Sequence, residues 1–233
     1  MRKKICGPLL VGLALLCASA TGGADANTKA SKFTLDSLDG LEAVNIKPEV
    51  AMHEGRRAVR LLNSREDARI DIARESIAIL SSSEFKDGTI EAEIAGEPRV
   101  GATPDIRGFI GIAFRVQEHG KRFECFYLRM TNGRADDQLR RNHSAQYISA
   151  PDYPWERLRK ENPGVYESYV DLEPAKWTKI KIVVVGTKAQ LFVNGASQPC
   201  LIVNDLKLGE SSGQVALWVA DDTDAYFSNL RVN

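Results

Sequence analysis

Few features of this sequence mark a redox centre, a metalloprotein or a nucleic-acid binder. It holds four cysteines and three histidines in 233 residues. No C-x-x-C, H-E-x-x-H or His/Cys cluster occurs, which argues against a structural zinc site and a dithiol motif. Basic and acidic side chains balance at 31 each, so there is no electrostatic footprint for nucleic acid. Long helical periodicity, internal repeats, low-complexity tracts and interdomain linkers are missing as well. No nucleotide-cradling loop or recognisable catalytic triad stands out, so no cofactor is expected.

What is present begins with an export signal. Arg2, Lys3 and Lys4 precede an apolar run at residues 5–17, a charged stretch followed by a hydrophobic one too short to span a bilayer comfortably. Ala24, Asp25 and Ala26 form a small-x-small site, so cleavage after Ala26 is expected. Ala18, Ser19 and Ala20 offer a second site, while lipidation at Cys17 is disfavoured by Leu16 before it. The reading is a signal peptide at residues 1–26 and one mature domain at residues 27–233, secreted or periplasmic, with no transmembrane segment in the mature chain. A mature chain of 207 residues can bury a core without staples. Its net charge is about −2 and no polybasic block follows the signal, so neutral partners fit better than anionic ones. Its two cysteines, Cys125 and Cys200, sit in apolar strand-like runs and read as buried thiols, although an exported chain can also oxidise such a pair.

Strand signals recur at short intervals. Residues 89–94 alternate polar and apolar, and residues 109–116, 123–130 and 180–185 are rich in aromatic and branched side chains. Turn chemistry at residues 185–188, 194–195 and 209–213 separates runs that end in strands at residues 215–220 and 225–232. Weaker strands are read at residues 44–47 and 58–62. The fold class is all-β, with one interruption: residues 132–176 carry four prolines, two glycines and a dense polar and aromatic content. This reads as an elaborated insertion forming the wall of a binding site, with a helical turn at residues 155–160 opened by Pro154.

Several of these segments carry a family resemblance. Phe85, Lys86, Asp87 and Gly88 leading into Thr-Ile-Glu-Ala-Glu, Gly-Ile-Ala-Phe-Arg at residues 111–115 and Trp-Thr-Lys-Ile-Lys at 177–181 are similar to the concanavalin A-like lectin/glucanase superfamily. Leu-Phe-Val-Asn-Gly at 191–195 and the closing run at 225–232 complete the likeness. The sequence resembles in particular the laminin G-like and 3-keto-disaccharide hydrolase-type domains. The resemblance implies a jelly roll of two antiparallel sheets that binds sugar on a concave face, and hence a carbohydrate partner. Fold alone does not set function.

Side-chain alternation groups the candidates. Arg115 is expected on one face with Phe109, Gly111 and Ala113, and Arg129 with Tyr127 and Cys125. Glu91 and Glu93 share a face of their own strand. If these faces meet, carboxylates oppose guanidinium groups across a shallow groove; the plainer reading makes the glutamates and arginines solvent-facing sheet residues. Arg115, Tyr127, Arg129, Asn142, Gln146, Tyr147 and Trp155, with Glu91, make up the expected sugar-binding set, since hydroxyls take charged or amide partners and sugar rings stack on aromatics. Glu93 and His143 are the acid/base candidates. His143 closes a polar run at 132–144, which as a plain loop would simply be solvated. Residues 91–93 are the nearest approach to the absent E-x-D-x-x-E motif of the family 16 glucanases, and their carboxylates stand about 6 to 7 Å apart by strand rise. Asp221, Asp222 and Asp224 offer oxygen ligands to calcium but read better as a turn. Two functions follow: a carbohydrate-active enzyme cleaving a glycoside or keto-sugar, or a non-catalytic glycan-binding module. A third reading has a sheet face engage another protein.

Overall fold

The computed structural model describes Met1, residues 30–62 and residues 76–233. Apart from Met1, the expected signal peptide lies outside the described residues. Strands form where the pattern alternates. In Gly88–Pro98, Ile90, Ala92 and Ile94 are buried while Glu91 and Glu93 point the other way. Thr178–Val185 buries Ile180, Ile182 and Val184 in the same manner and pairs with it antiparallel, Ile182 opposite Ile90. One face of this pair is therefore apolar and must be covered.

In chain order the strands are β1 (Ser31–Phe33), β2 (Leu41–Val44), β3 (Lys47–His53), β4 (Arg56–Leu62), β5 (Ser76–Leu80), β6 (Gly88–Pro98), β7 (Phe109–Gln117) and β8 (Arg122–Arg129). They continue with β9 (Ala145–Ala150), β10 (Glu167–Ser168), β11 (Thr178–Val185), β12 (Lys188–Val193), β13 (Leu201–Val203), β14 (Gln214–Ala220) and β15 (Thr223–Val232). Two short helices, α1 (Gln138–Asn142) and α2 (Trp155–Glu161), lie between β8 and β10. One antiparallel sheet runs β13-β12-β11-β6-β15-β4-β3, with β1 also on β15; the other runs β10-β9-β8-β7-β14-β5-β2. The sheets pack face to face over Ile94, Ile110, Ile112, Phe114, Phe126 and Phe227, each at most 1% exposed. The all-β, concanavalin A-like sandwich read from the sequence is the observed fold.

Two expectations are corrected. The strand placed at residues 44–47 is broken: Val44 ends β2, Lys47 begins β3, and the chain turns between them at Asn45, which takes φ 53°. Residues 132–176 are more than a wall, because β9 is an inner strand of its sheet, pairing with β8 along Ala150 to Ala145. Every residue of β9 is buried, so it shows no alternation to read. The helical turn expected near residue 155 is α2, which follows Pro154.

Arg115 also departs from the alternation. The β7–β8 register shifts between Phe114 and Gln117, and Arg115 sits in this bulge at φ 52°. Its guanidinium is wholly buried and donates to the backbone oxygens of Lys86 (2.9 Å), Gly186 (2.7 Å) and Gly209 (2.5 Å), and to Asp87 (3.2 Å). It joins three loops at the sandwich end and is not available to a ligand, contrary to the substrate-binding role read for it. Tyr147 is likewise turned into the core, where its hydroxyl donates to Glu124 and accepts from the Lys207 amide at 2.9 Å. Glu124, which also accepts from the Leu208 amide at 2.7 Å, is completely buried.

Replacing Arg115 with leucine strands three carbonyl oxygens, so unfolding free energy should fall by about 3 kcal/mol or more in urea titrations. Burial, opposed by the Tyr147 and Leu208 hydrogen bonds, raises the Glu124 pKa above its ordinary carboxylate value. A raised folded pKa gives stability that is complete below the ordinary value and lost as pH climbs through the raised one. Thermal scans at about pH 5 and about pH 8 should show a loss at the higher pH that is smaller in Glu124→Gln.

Candidate functional site

The site is built on the outer face of the seven-stranded sheet. Ile110 faces inward: a Cβ on Gly96 of β6 would lie 2.9 Å from its Cγ2. Alternation then sends Phe109 and Gly111 of β7 outward, and register adds Tyr127 and Arg129 of β8, Gln146 of β9, Glu167 of β10 and Trp218 of β14. Gly111 is required here, since a side chain would meet the Tyr127 Cβ at 2.6 Å. Without one, the Tyr127 ring lies between Phe109 and Trp218, with centroids 6.2 and 4.8 Å away. Burial raises the Tyr127 pKa far above the ordinary phenol value, so the hydroxyl stays protonated.

Arg129 is 5% exposed and donates to the Tyr127 hydroxyl (2.7 Å), Gln146 Oε1 (3.1 Å) and the His143 carbonyl (3.0 Å). The carbonyl is presented by α1, whose first turn is capped by Asp137 accepting from the Arg140 amide at 2.9 Å. The helix ends at Asn142, and the Asn132 side chain donates to the same His143 oxygen at 3.2 Å. His143 is thereby held by its backbone, leaving the imidazole to a separate partner. That partner is Glu167, 3.1 Å from His143 Nε2 and held by Arg159 at 2.7 Å. Trp155 and Arg159, four residues apart on α2, share a face, and the guanidinium carbons of Arg159 and Arg129 lie 4.5 and 5.5 Å from the Trp155 ring centre. A cleft of about 700 Å³ opens here, bounded by His143, Glu167, Arg159 and Asn142 and by Leu139, Pro163 and Tyr169.

Desolvation lowers the His143 pKa below its ordinary 6.5, Arg159 and Arg129 add to the shift and Glu167 opposes it. The imidazole is therefore neutral at neutral pH. A Glu167 carboxylate facing Nε2 favours the tautomer with hydrogen on that nitrogen and the lone pair on Nδ1. Such a group can accept a proton.

Of the residues selected from sequence, Tyr127, Arg129, Asn142, His143, Gln146 and Trp155 converge; Asn142 and His143 line the cleft, whereas Tyr127, Arg129 and Gln146 are at most 5% exposed and hold it in place. Arg115 and Tyr147 are core residues, as described. Glu91 and Glu93 lie on the outer face of the other sheet, so the expected groove between carboxylates and guanidinium groups does not form. Glu93 accepts from Arg56 and from Asn229, each at 2.5 Å, and Glu91 stands opposite Lys181 and Arg231 in the neighbouring strands. In the acidic turn, Asp222 and Asp224 pair with Arg99 and Arg60 at 3.2 and 2.6 Å. Among the described residues no group of three acidic, His or Cys side chains is placed to hold a metal ion. Cys125 and Cys200 are thiols, and burial pushes the Cys200 pKa up to about 11. No described helix is long and apolar enough to cross a membrane. Sequence reading missed Glu167, Arg159 and Trp218; the four-residue spacing of Trp155 and Arg159 was the one available signal for Arg159.

Two stacked antiparallel sheets in this order define a concanavalin A-like sandwich. The chain belongs to the 3-keto-alpha-glucoside-1,2-lyase-like domain family, whose model matches residues 51–233. Among solved structures it is similar to the carbohydrate-binding module CBM66 from Bacillus subtilis, at 17% identity and TM-score 0.57 over 83% of this chain and 96% of that one. A protein of unknown function with galectin-like fold from Bacillus subtilis aligns at 10% identity and TM-score 0.54, covering 86% and 93% of the two chains. The Crh5 transglycosylase in complex with NAG aligns at 11% identity and TM-score 0.51, covering 88% and 83%. No curated protein matches at the sequence level.

Because Arg159 and Arg129 help depress the His143 pKa, Arg159→Gln should raise it. NMR titration of the ring should give a midpoint below the ordinary 6.5 in the parent chain and a higher one in the variant.

Proposed function

We propose that this protein is an exported carbohydrate-active enzyme that binds a 3-keto-glycoside in the cleft bounded by His143, Glu167 and Arg159 and cleaves its glycosidic bond by elimination. The observation that carries the reading is His143: a neutral imidazole oriented by Glu167 at the edge of a cleft, in a family described as lyase-like. A ketone at C3 of a sugar acidifies the hydrogen on C2. His143 Nδ1 takes that proton, the electron pair forms an enolate, and the enolate collapses to a C1–C2 double bond as the C1–oxygen bond breaks. The His143 imidazolium returns this proton to the leaving oxygen, which departs as an alcohol and leaves the imidazole neutral again. Glu167 steadies the imidazolium formed on the way, and the Arg159 guanidinium, which lines the cleft, favours the enolate charge. Trp155 offers a face for the sugar ring.

A second reading, a glycan-binding module without catalysis, is supported by the similarity to CBM66 over nearly all of that chain. The same residues then bind without reacting.

Turnover of a 3-keto-α-glucoside, followed by release of the alcohol, should fall about 100-fold or more in His143→Gln while calorimetric binding is retained. Glu93→Gln, on the opposite sheet, should leave turnover intact. Unchanged turnover in His143→Gln would sink the base assignment, and binding without turnover by the parent chain would favour the module.

A further inference from the structure

Resting on the functional reading above, we infer that Asn142 donates a hydrogen bond to the C3 oxygen of the keto-sugar and stabilises the charge this oxygen gains when His143 removes the C2 proton. His143 provides a base and Arg159 a nearby charge. An enolate oxygen also calls for a donor aimed at the atom itself.

Several donors along the cleft are already spent. The Ser168 hydroxyl donates to the Cys200 carbonyl at 2.5 Å, and Arg159 Nε and Nη2 donate to Glu167 at 3.1 and 2.7 Å. His143 Nε2 faces the same carboxylate. Asn142 differs. Its Oδ1 accepts from Gln138, one helical turn back on α1, at 2.7 Å. That bond fixes which end of the amide is nitrogen and leaves both Nδ2 hydrogens without a partner among the described residues. Tyr169, whose hydroxyl accepts from Arg141 at 2.8 Å, also keeps a proton to give.

Position selects between the two. C2 and C3 of the sugar are bonded neighbours, so the base and the donor must lie side by side. Asn142 and His143 are consecutive residues at the end of α1 and both line the cleft. Their backbone is fixed by the bonds from Arg129 and Asn132 to the His143 carbonyl, at 3.0 and 3.2 Å. Tyr169 comes from the connection after β10 and is left for the remaining sugar hydroxyls. As the C2–hydrogen bond breaks, its electron pair forms the C2–C3 double bond and the carbonyl π pair moves onto oxygen. Asn142 donates to that oxygen without giving up its proton. When the C1–oxygen bond breaks the ketone re-forms, so the bond is strongest between these two events and lowers the barrier more than it tightens binding.

The test uses the mature chain with two probes: methyl 3-keto-α-D-glucoside, read by methanol release, and 1,5-anhydro-3-keto-D-glucitol in heavy water. The second has no leaving group, so deuterium entering C2 reports enolate formation alone. Asn142→Ala should lower both rates about 100-fold, almost wholly in kcat. Asn142→Asp keeps the shape but loses the donor and should be at least as slow. Both variants should melt with the parent, since the side chain is exposed. Parental rates in Asn142→Ala, activity retained in Asn142→Asp, or a rise in KM with kcat kept overturns the assignment while the functional reading stands. If the parent chain neither releases methanol nor exchanges C2, the functional reading itself fails, and this inference with it.

Discussion

The structure around the site depends on one guanidinium. Arg129 is nearly enclosed, so each of its donors needs an acceptor, and the acceptors come from three places: its own strand, the next strand and the end of α1. Satisfying them fastens the connection after β8 back onto the sheet and sets where His143 begins. That fastening works with the Arg134 pairs to Asp171 and Glu173 and the Arg141 bond to Tyr169 in ordering the polar run at residues 132–144, whose own apolar content is small.

Two buried polar centres act in parallel at other points of the sandwich. Arg115 gathers loop carbonyls at one end, and Glu124 with Tyr147 holds the backbone at Lys207 and Leu208. Each costs desolvation and is tolerated because nearly every donor and acceptor is met. They share a consequence: the loops of this fold are tied by side chains more than by packing, so their positions are specific although their apolar contacts are few.

The fold was legible where one face of a strand is wet. Residues 89–94 announce both their strand and its buried side, and residues 178–185 do the same. Ser76–Leu80 and Ala145–Ala150 are buried on both faces and show no period, so they read as ambiguous apolar runs or as part of a loop. The candidate site was legible as a region, because so many hydrogen-bonding groups fall between residues 132 and 147, although the structure uses Asn132, Arg134, Asp137 and Gln146 to hold the backbone and neighbouring side chains. Its exact membership was not. A single bulge turned Arg115 out of its expected face, as a one-residue slip must. The alternation of Glu91 and Glu93 was read correctly, yet alternation says nothing of which sheet a strand joins. Glu167 meets His143 across a connection of more than twenty residues, a contact made only by the pairing of β9 with β10.

That pairing is slight. Strand β10 is two residues long and forms the border of its sheet, with Glu167 opposite Gln146 and Ser168 opposite Ala145. So short a margin gives other chains little to add to. It also means that the carboxylate orienting His143 sits on the least reinforced stretch of the seven-stranded sheet. Followed by hydrogen exchange, this corner would surrender its amide protons before β7 or β8, so the place of Glu167 beside His143 rests on the Arg159 bonds to both its oxygens more than on the strand that carries it.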